Sequence, residues 1–149
     1  YFQDRRFMNR VSKCLDEIGL NYYHFTKYGD ASSWKKTDMG WNFAPEYLYY
    51  ALKEISRYGK PVFVSEAGLA DHDDSDRAEY IQKQVEAVHR AIQDGIDVRG
   101  HMYWSLLDNY EWAFGFEKRF GLIEVNYGTL ERKVRPSAYV YKELIEQSR

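Results

Sequence analysis

The chain has 149 residues, with 21 Lys+Arg against 23 Asp+Glu and a formal net charge of −2. That length suits one domain with a hydrophobic core, and the near balance of charge excludes the basic footprint of a nucleic-acid partner or a polybasic membrane surface. No apolar run approaches the ~20 residues that span a bilayer, no stretch has the order of a secretory leader, and a single cysteine, Cys14, rules out an intrachain disulfide framework. A soluble, cytoplasmic chain is the expectation. Aromatic residues make up 17% of the sequence, with 14 Tyr, 8 Phe and 4 Trp. Tyr and Trp suit ligands that present C–H faces beside hydroxyls, as sugars do, though core packing and interfaces account for the excess equally well.

In chain order, residues 4–16 carry Phe7, Val11 and Cys14 at helical spacing. Residues 18–23 are short and aromatic and read as a strand, and residues 24–42 form a long polar loop without period. Pro45 stands where a first helical turn begins, ahead of the stripe Leu48, Leu52 and Ile55, and Gly59 ends that segment. Residues 61–65 are an apolar run of the buried-strand type, ending at Glu66-Ala67-Gly68. After the acidic loop Asp71-His72-Asp73-Asp74, Ser75 or Asp76 is the expected cap of a helix with the stripe Ile81, Val85, Val88 and Ile92, closed by Gly95. Residues 98–107 read as a strand that breaks into Asp108-Asn109-Tyr110-Glu111-Trp112, residues 120–127 as a further strand, and Pro136 opens a last helix to about Gln147.

Alternation of strands and helices implies α/β architecture with parallel strands and crossover helices. Tyr23, Glu66 and Glu111 stand 43 and 45 residues apart, each at the C-terminal end of an apolar strand. Barrels and open α/β sheets keep their chemistry there. A carboxylate at a strand end is desolvated unless paired, and two carboxylates beside aromatics suit glycoside hydrolysis as well as simple ion pairing. The acidic loop lacks EF-hand spacing and reads as a solvated loop with a helix cap. His24, His72, His89 and His101 form no zinc-ligand pair, His89 falls on a helix surface, and no phosphate loop or Gly-x-Ser-x-Gly elbow occurs.

The run Trp104-Ser105-Leu106-Leu107-Asp108-Asn109-Tyr110-Glu111-Trp112, with Gly115-Phe116 and Arg119-Phe120-Gly121-Leu122, closely resembles the C-terminal signature of glycoside hydrolase family 1. Pro61-Val62-Phe63-Val64-Ser65-Glu66-Ala67-Gly68 resembles that family's nucleophile strand, Asn21-Tyr22-Tyr23 its sixth-strand motif, and residues 132–141 its closing helix. These are retaining β-glycosidases on a (β/α)8 TIM barrel. The resemblance implies Glu66 as nucleophile, Tyr23 as the group that positions it, and Trp104 as a stacking platform under the sugar. It further implies that Glu111 and the Trp112 indole bind sugar hydroxyls, that Phe120 lines the same subsite, and that Asn21 supports the site. Trp34, Trp41 and Tyr28 are weaker candidates for the leaving-group side. Two departures stand out: Ala67 replaces the family's Asn after the nucleophile, and Glu17 stands where an aromatic is usual. The resemblance calls for no metal or organic cofactor.

A closed barrel needs about 200 residues and typically ~250. The resemblance therefore makes residues 1–149 the C-terminal part of one (β/α)8 domain, roughly its sixth to eighth strand–helix units, whether by truncation, proteolysis or a split barrel. The family's Thr-x-Asn-Glu acid/base motif does not occur in the sequence. The implied partners are a β-linked sugar and either the missing N-terminal half of the barrel or further copies of the chain. The alternative is a non-catalytic sugar-binding or assembly role.

Overall fold

The computed structural model describes residues 2–26 and 34–148, with side chains from Arg5 onward. Three parallel strands form the sheet in the order β1-β2-β3: β1 Ile18–Tyr22, β2 Val62–Ala67 and β3 Val98–Tyr103. Helix α1 (Phe2–Val11) runs into a 3-10 turn at Ser12–Cys14, α2 (Leu48–Ser56) joins β1 to β2, α3 (Arg77–Gln93) joins β2 to β3, and α4 (Pro136–Gln147) follows. Pro45 opens a 3-10 turn ahead of α2, and Gly59 and Gly95, at φ +63° and +85°, follow α2 and α3. These are left-handed positions that glycine accepts without a Cβ clash.

Alternation along the strands divides the sheet into two unlike faces. Val62 and Val64 of β2 join Tyr22, Leu48, Leu52, Ala87, Val88 and Ala91 in a core beneath α2 and α3. A second core holds Leu69, Tyr80, Ile81, Tyr103 and Leu122, with Tyr141 and Leu144 of α4 against it. On the opposite face the Phe63 ring lies over Gly100, where an added Cβ would meet it at 2.2 Å, and Met102 is 52% exposed. Gly19 and Asn21 on that face are exposed as well, and among the described residues no strand pairs with the outer edges of β1 and β3. Nor, among them, is any helix long and apolar enough to cross a membrane.

The structure departs from the expected elements at several points. Strand β3 ends at Tyr103, not at residue 107, because residues 105–108 leave the sheet to bond residues 120–123: Ser105 N–H donates to the Phe120 carbonyl (3.1 Å) and Asp108 N–H to that of Ile123 (3.1 Å). Gly121 allows this approach, since a Cβ there would lie 2.2 Å from the Asp108 nitrogen. The strand expected over residues 120–127 shrinks to β4 (Ile123–Val125), paired antiparallel with β5 (Arg132–Val134). Between them Asn126 Oδ1 accepts the N–H groups of Gly128 (2.9 Å) and Thr129 (3.2 Å), an Asx turn that reverses the chain.

Asp76 holds the N-cap position of α3, as one of the two expectations had it, but its own side chain makes no capping hydrogen bond. Asp71 Oδ2 accepts the N–H groups of Asp76 (2.9 Å) and Arg77 (3.0 Å). The acidic loop is likewise not wholly solvated, because Asp71 is buried. Asp74 pairs with buried Arg77 and accepts both Ser137 N–H (3.0 Å) and Ser137 Oγ–H (2.7 Å), tying the loop to α4. In the α3 stripe, Ile92 is 47% exposed while Tyr80, Gln84 and Ala91 take up buried positions.

Candidate active site

Glu66 stands at the C-terminal end of β2, and three connections bring its neighbours to it. Tyr23 directly follows β1, and its phenol donates to Glu66 Oε2 at 2.6 Å. Trp104 directly follows β3, and its N–H donates to the Ala67 carbonyl at 2.8 Å, so the two strand ends stay side by side. Phe120, fully buried, meets the Tyr23 ring edge-on at 6.1 Å between centroids. Glu111 hangs from a turn in which its N–H donates to the Gly115 carbonyl at 2.7 Å.

The electrostatics tie these groups together. Burial raises the Tyr23 phenol far above its ordinary value, and the hydrogen bond and charge of Glu66 raise it further. It is therefore a neutral donor toward the carboxylate. Burial raises the Glu111 carboxyl above its ordinary value, the Glu66 carboxylate adds to the rise, and the Trp104 side chain opposes it. Glu66, Tyr23, Trp104, Glu111 and Phe120 therefore belong to one cluster.

Two other candidates stand differently. Asn21 is on β1 and accepts a hydrogen bond from Ser65 Oγ at 2.8 Å, one residue before Glu66. Trp112 is 84% exposed, in a left-handed backbone conformation at φ 43° that residues other than glycine rarely adopt. Of the weaker candidates, Trp41 packs on Tyr23 at 5.7 Å and on His24 at 5.1 Å, whereas Trp34 packs on Tyr47, away from the cluster. Tyr28 lies outside the described residues.

Sequence reasoning missed the supports. Asp108 is buried and accepts Gly121 N–H (2.9 Å), Val125 N–H (3.2 Å) and two guanidinium donors of Arg135 (3.0 and 3.2 Å). This clamp closes the base of the loop that carries Glu111 and Trp112. The only sequence signal for it was an Asp and a Gly inside the signature runs. Among the described residues, no group of three or more His, Cys, Asp or Glu has the geometry to hold a metal ion.

The sequence profile of Glycosyl hydrolase family 1 matches residues 6–149. The chain belongs to that family. It is 41% identical to β-glucosidase A of Acetivibrio thermocellus, over 93% of this chain and 36% of that protein. It is 43% identical to a β-galactosidase of Sulfolobus acidocaldarius, over 87% of this chain and 31% of that protein. The fold superposes on Fpglu1 from Fervidobacterium pennivoraus with a TM-score of 0.90 at 34% identity, covering 98% of this chain and 38% of that one. The structural neighbours are TIM-barrel glycosidases of family 1, in keeping with the α/β fold. The family 1 chain thus spans about a third of the length of the relatives it matches.

Proposed function

We propose that residues 1–149 supply the sixth to eighth strand–helix units of a family 1 (β/α)8 barrel and hold the nucleophilic half of a retaining β-glycosidase site. The observation that carries this reading is the 2.6 Å hydrogen bond from Tyr23 to Glu66 beside Trp104 and Glu111. Glu66 attacks the anomeric carbon as the bond to the leaving group breaks, and water later releases the sugar from the ester. Trp104 stacks under the ring, Glu111 and Trp112 receive its hydroxyls, Phe120 closes the subsite, and Asn21 steadies Ser65. With relatives named β-glucosidase and β-galactosidase, gluco- or galacto-configured β-glycosides are the substrate class.

A retaining site sets nucleophile and acid/base carboxyls about 5–5.5 Å apart, and the acid/base motif is missing from this sequence. Alone, the chain therefore reacts slowly and only with leaving groups that need no protonation. Its partner is the N-terminal part of the barrel or, failing that, further copies of itself. The uncovered sheet face, the free strand edges and a recess of about 410 Å³ among Val88, Val98, His101 and Tyr141 along β3 support that need. The same open surface favours the second reading, a sugar-binding or assembly role without catalysis. A cytoplasmic location accompanies either reading.

Incubation with 2-deoxy-2-fluoro-glucosyl fluoride, followed by intact mass and peptide mapping, tests the assignment. The expected result is one fluorosugar on Glu66, slow for the chain alone and faster with the N-terminal part added, and none on Glu66→Gln. An adduct that persists in Glu66→Gln removes Glu66 from its role. Absence of any adduct, even with the N-terminal part added, favours the non-catalytic reading.

A further inference from the structure

The first turn of α3 bonds the chain at Tyr23, beside Trp104 and Phe120, and in the turn that follows Glu66. Arg77 and Tyr80, one turn apart on that helix, are both completely buried. Arg77 Nε donates to the Tyr103 hydroxyl at 3.1 Å, one residue before Trp104. Its Nη2 donates to the Asp71 carbonyl and, at 2.9 Å, to the Arg119 carbonyl, one residue before Phe120. Its Nη1 pairs with Asp74. Asp71 N–H donates to the same Arg119 carbonyl at 3.0 Å, so the turn after Glu66 and the approach to Phe120 share one acceptor. Tyr103 in turn accepts Leu69 N–H (3.3 Å) on the turn that follows Glu66. Tyr80 Oη donates to the Tyr23 carbonyl at 2.9 Å.

We propose that Arg77 and Tyr80 are positioning residues for the sugar subsite, Arg77 aligning Trp104 and Phe120 with the Glu66 turn and Tyr80 setting Tyr23. The inference deepens the assignment of Glu66, Trp104 and Phe120 above and rests on it for its functional meaning. The chemistry fits the residue types. A guanidinium offers five donors in a rigid planar fork, so one side chain bridges three chain segments that a lysine cannot hold at once. Full burial excludes water as a substitute partner, and the fork's geometry therefore passes directly to the backbone carbonyls. Tyr103 stays a neutral hydroxyl within this junction, its pKa pushed up to about 12 chiefly by burial. Any buried guanidinium needs its donors satisfied; what sets this junction apart is that its bonds fall on the chain neighbours of Trp104 and Phe120 and on Tyr23 itself.

The test uses the 149-residue chain with its tryptophans replaced by 5-fluorotryptophan and read by fluorine NMR. Trp34, packed on Tyr47 outside the junction, is the internal control. Tyr103→Phe, which deletes only the hydroxyl, is expected to move the Trp104 resonance by more than its linewidth and leave Trp34 in place. Tyr80→Phe is expected to move Trp41, which packs on Tyr23, and spare Trp104. Arg77→Lys is expected to move Trp104 with the same sign as Tyr103→Phe; if it fails to fold, the two phenylalanine variants decide. Overturning results are an unmoved Trp104 in Tyr103→Phe, or equal movement of all four resonances in both variants. Titration of the unsubstituted chain with methyl β-glucoside separates the two claims. If sugar moves no tryptophan while the variant pattern holds, the subsite assignment falls and the positioning role stands.

Discussion

The Tyr23 phenol donates to Glu66 Oε2 at 2.6 Å across the ends of two neighbouring parallel strands. The bond orients one carboxylate oxygen, and on the proposed reading the other attacks the sugar. Removing a hydrogen bond to a charged group costs about 1.5–3 kcal/mol. Tyr23→Phe should therefore slow fluorosugar labelling of Glu66 by about 10- to 150-fold. Mass spectrometric time courses of the two proteins check this, and equal rates would mean the phenol does not act on the nucleophile.

Glu111 is raised by burial first and by the Glu66 charge second. Glu66→Gln removes the second cause, so Glu111 should titrate lower in that variant. Carbon-13 NMR of the Glu111 carboxyl gives the comparison directly. An unchanged titration would show that the two carboxylates do not sense each other.

Gly68 lies two residues beyond Glu66 against the Trp104 backbone, where a Cβ would fall 1.9 Å from the Trp104 carbonyl oxygen. Backbone cannot yield as a flexible side chain does, so Gly68→Ala should lower stability by about 1–3 kcal/mol. Gly128→Ala, whose nearest neighbour would be the Asn126 side chain at 3.4 Å, should stay within about 0.5 kcal/mol. Urea unfolding of both variants measures the contrast.

Asp108 and Arg135 form a buried ion pair with side-chain exposures of 0% and 5%. Asp108→Ala strands the guanidinium and two backbone N–H groups, a loss of about 3–5 kcal/mol. The loop base should open with it. Hydrogen exchange at the Gly121 and Val125 amides should rise far more than in α2.

His101 sits between Tyr141 Oη and Gln84 Oε1, each 3.3 Å from a ring nitrogen. Burial lowers its pKa from 6.5 to about 4. Because the folded value is depressed, the unfolded chain binds the proton more readily between those values. The neutral ring's contribution is complete above 6.5 and declines as pH falls toward 4. The full loss amounts to about 3 kcal/mol. His101→Leu should flatten that limb in denaturant midpoints taken from pH 7.5 downward to about 4. The same slope in both proteins would assign the acid sensitivity elsewhere.

Much of the candidate site was legible because its residues lie in contiguous runs with narrow chemical meaning. A carboxylate at the end of Pro61-Val62-Phe63-Val64-Ser65 can only sit at a strand end, and Trp104 through Trp112 carries the signature residues together. Helices α2 and α4 were legible from their prolines and apolar periods. The hairpin of β4 and β5 was not, since three-residue strands leave too short a period to read and their pairing depends on the Asn126 turn. The N-cap position at Asp76 was legible, but its capping acceptor was not, because Asp71 acts from five residues before Asp76, outside the spacing a local cap requires.

By itself, the sequence determined the α/β alternation, the family, and the residue types available at each strand end, because these depend on local period and on motifs read within one segment. Only the tertiary structure decided which of those residues meet. Tyr23 and Glu66 are 43 residues apart along the chain and share a hydrogen bond. Arg77 and Arg119 are 42 apart and share another. Parallel pairing through α2 and α3 creates those contacts, and burial then shifts the titration of Tyr23 and Glu111 upward and that of His101 downward. Desolvation is a property of the packed surroundings, which no single stretch of sequence contains.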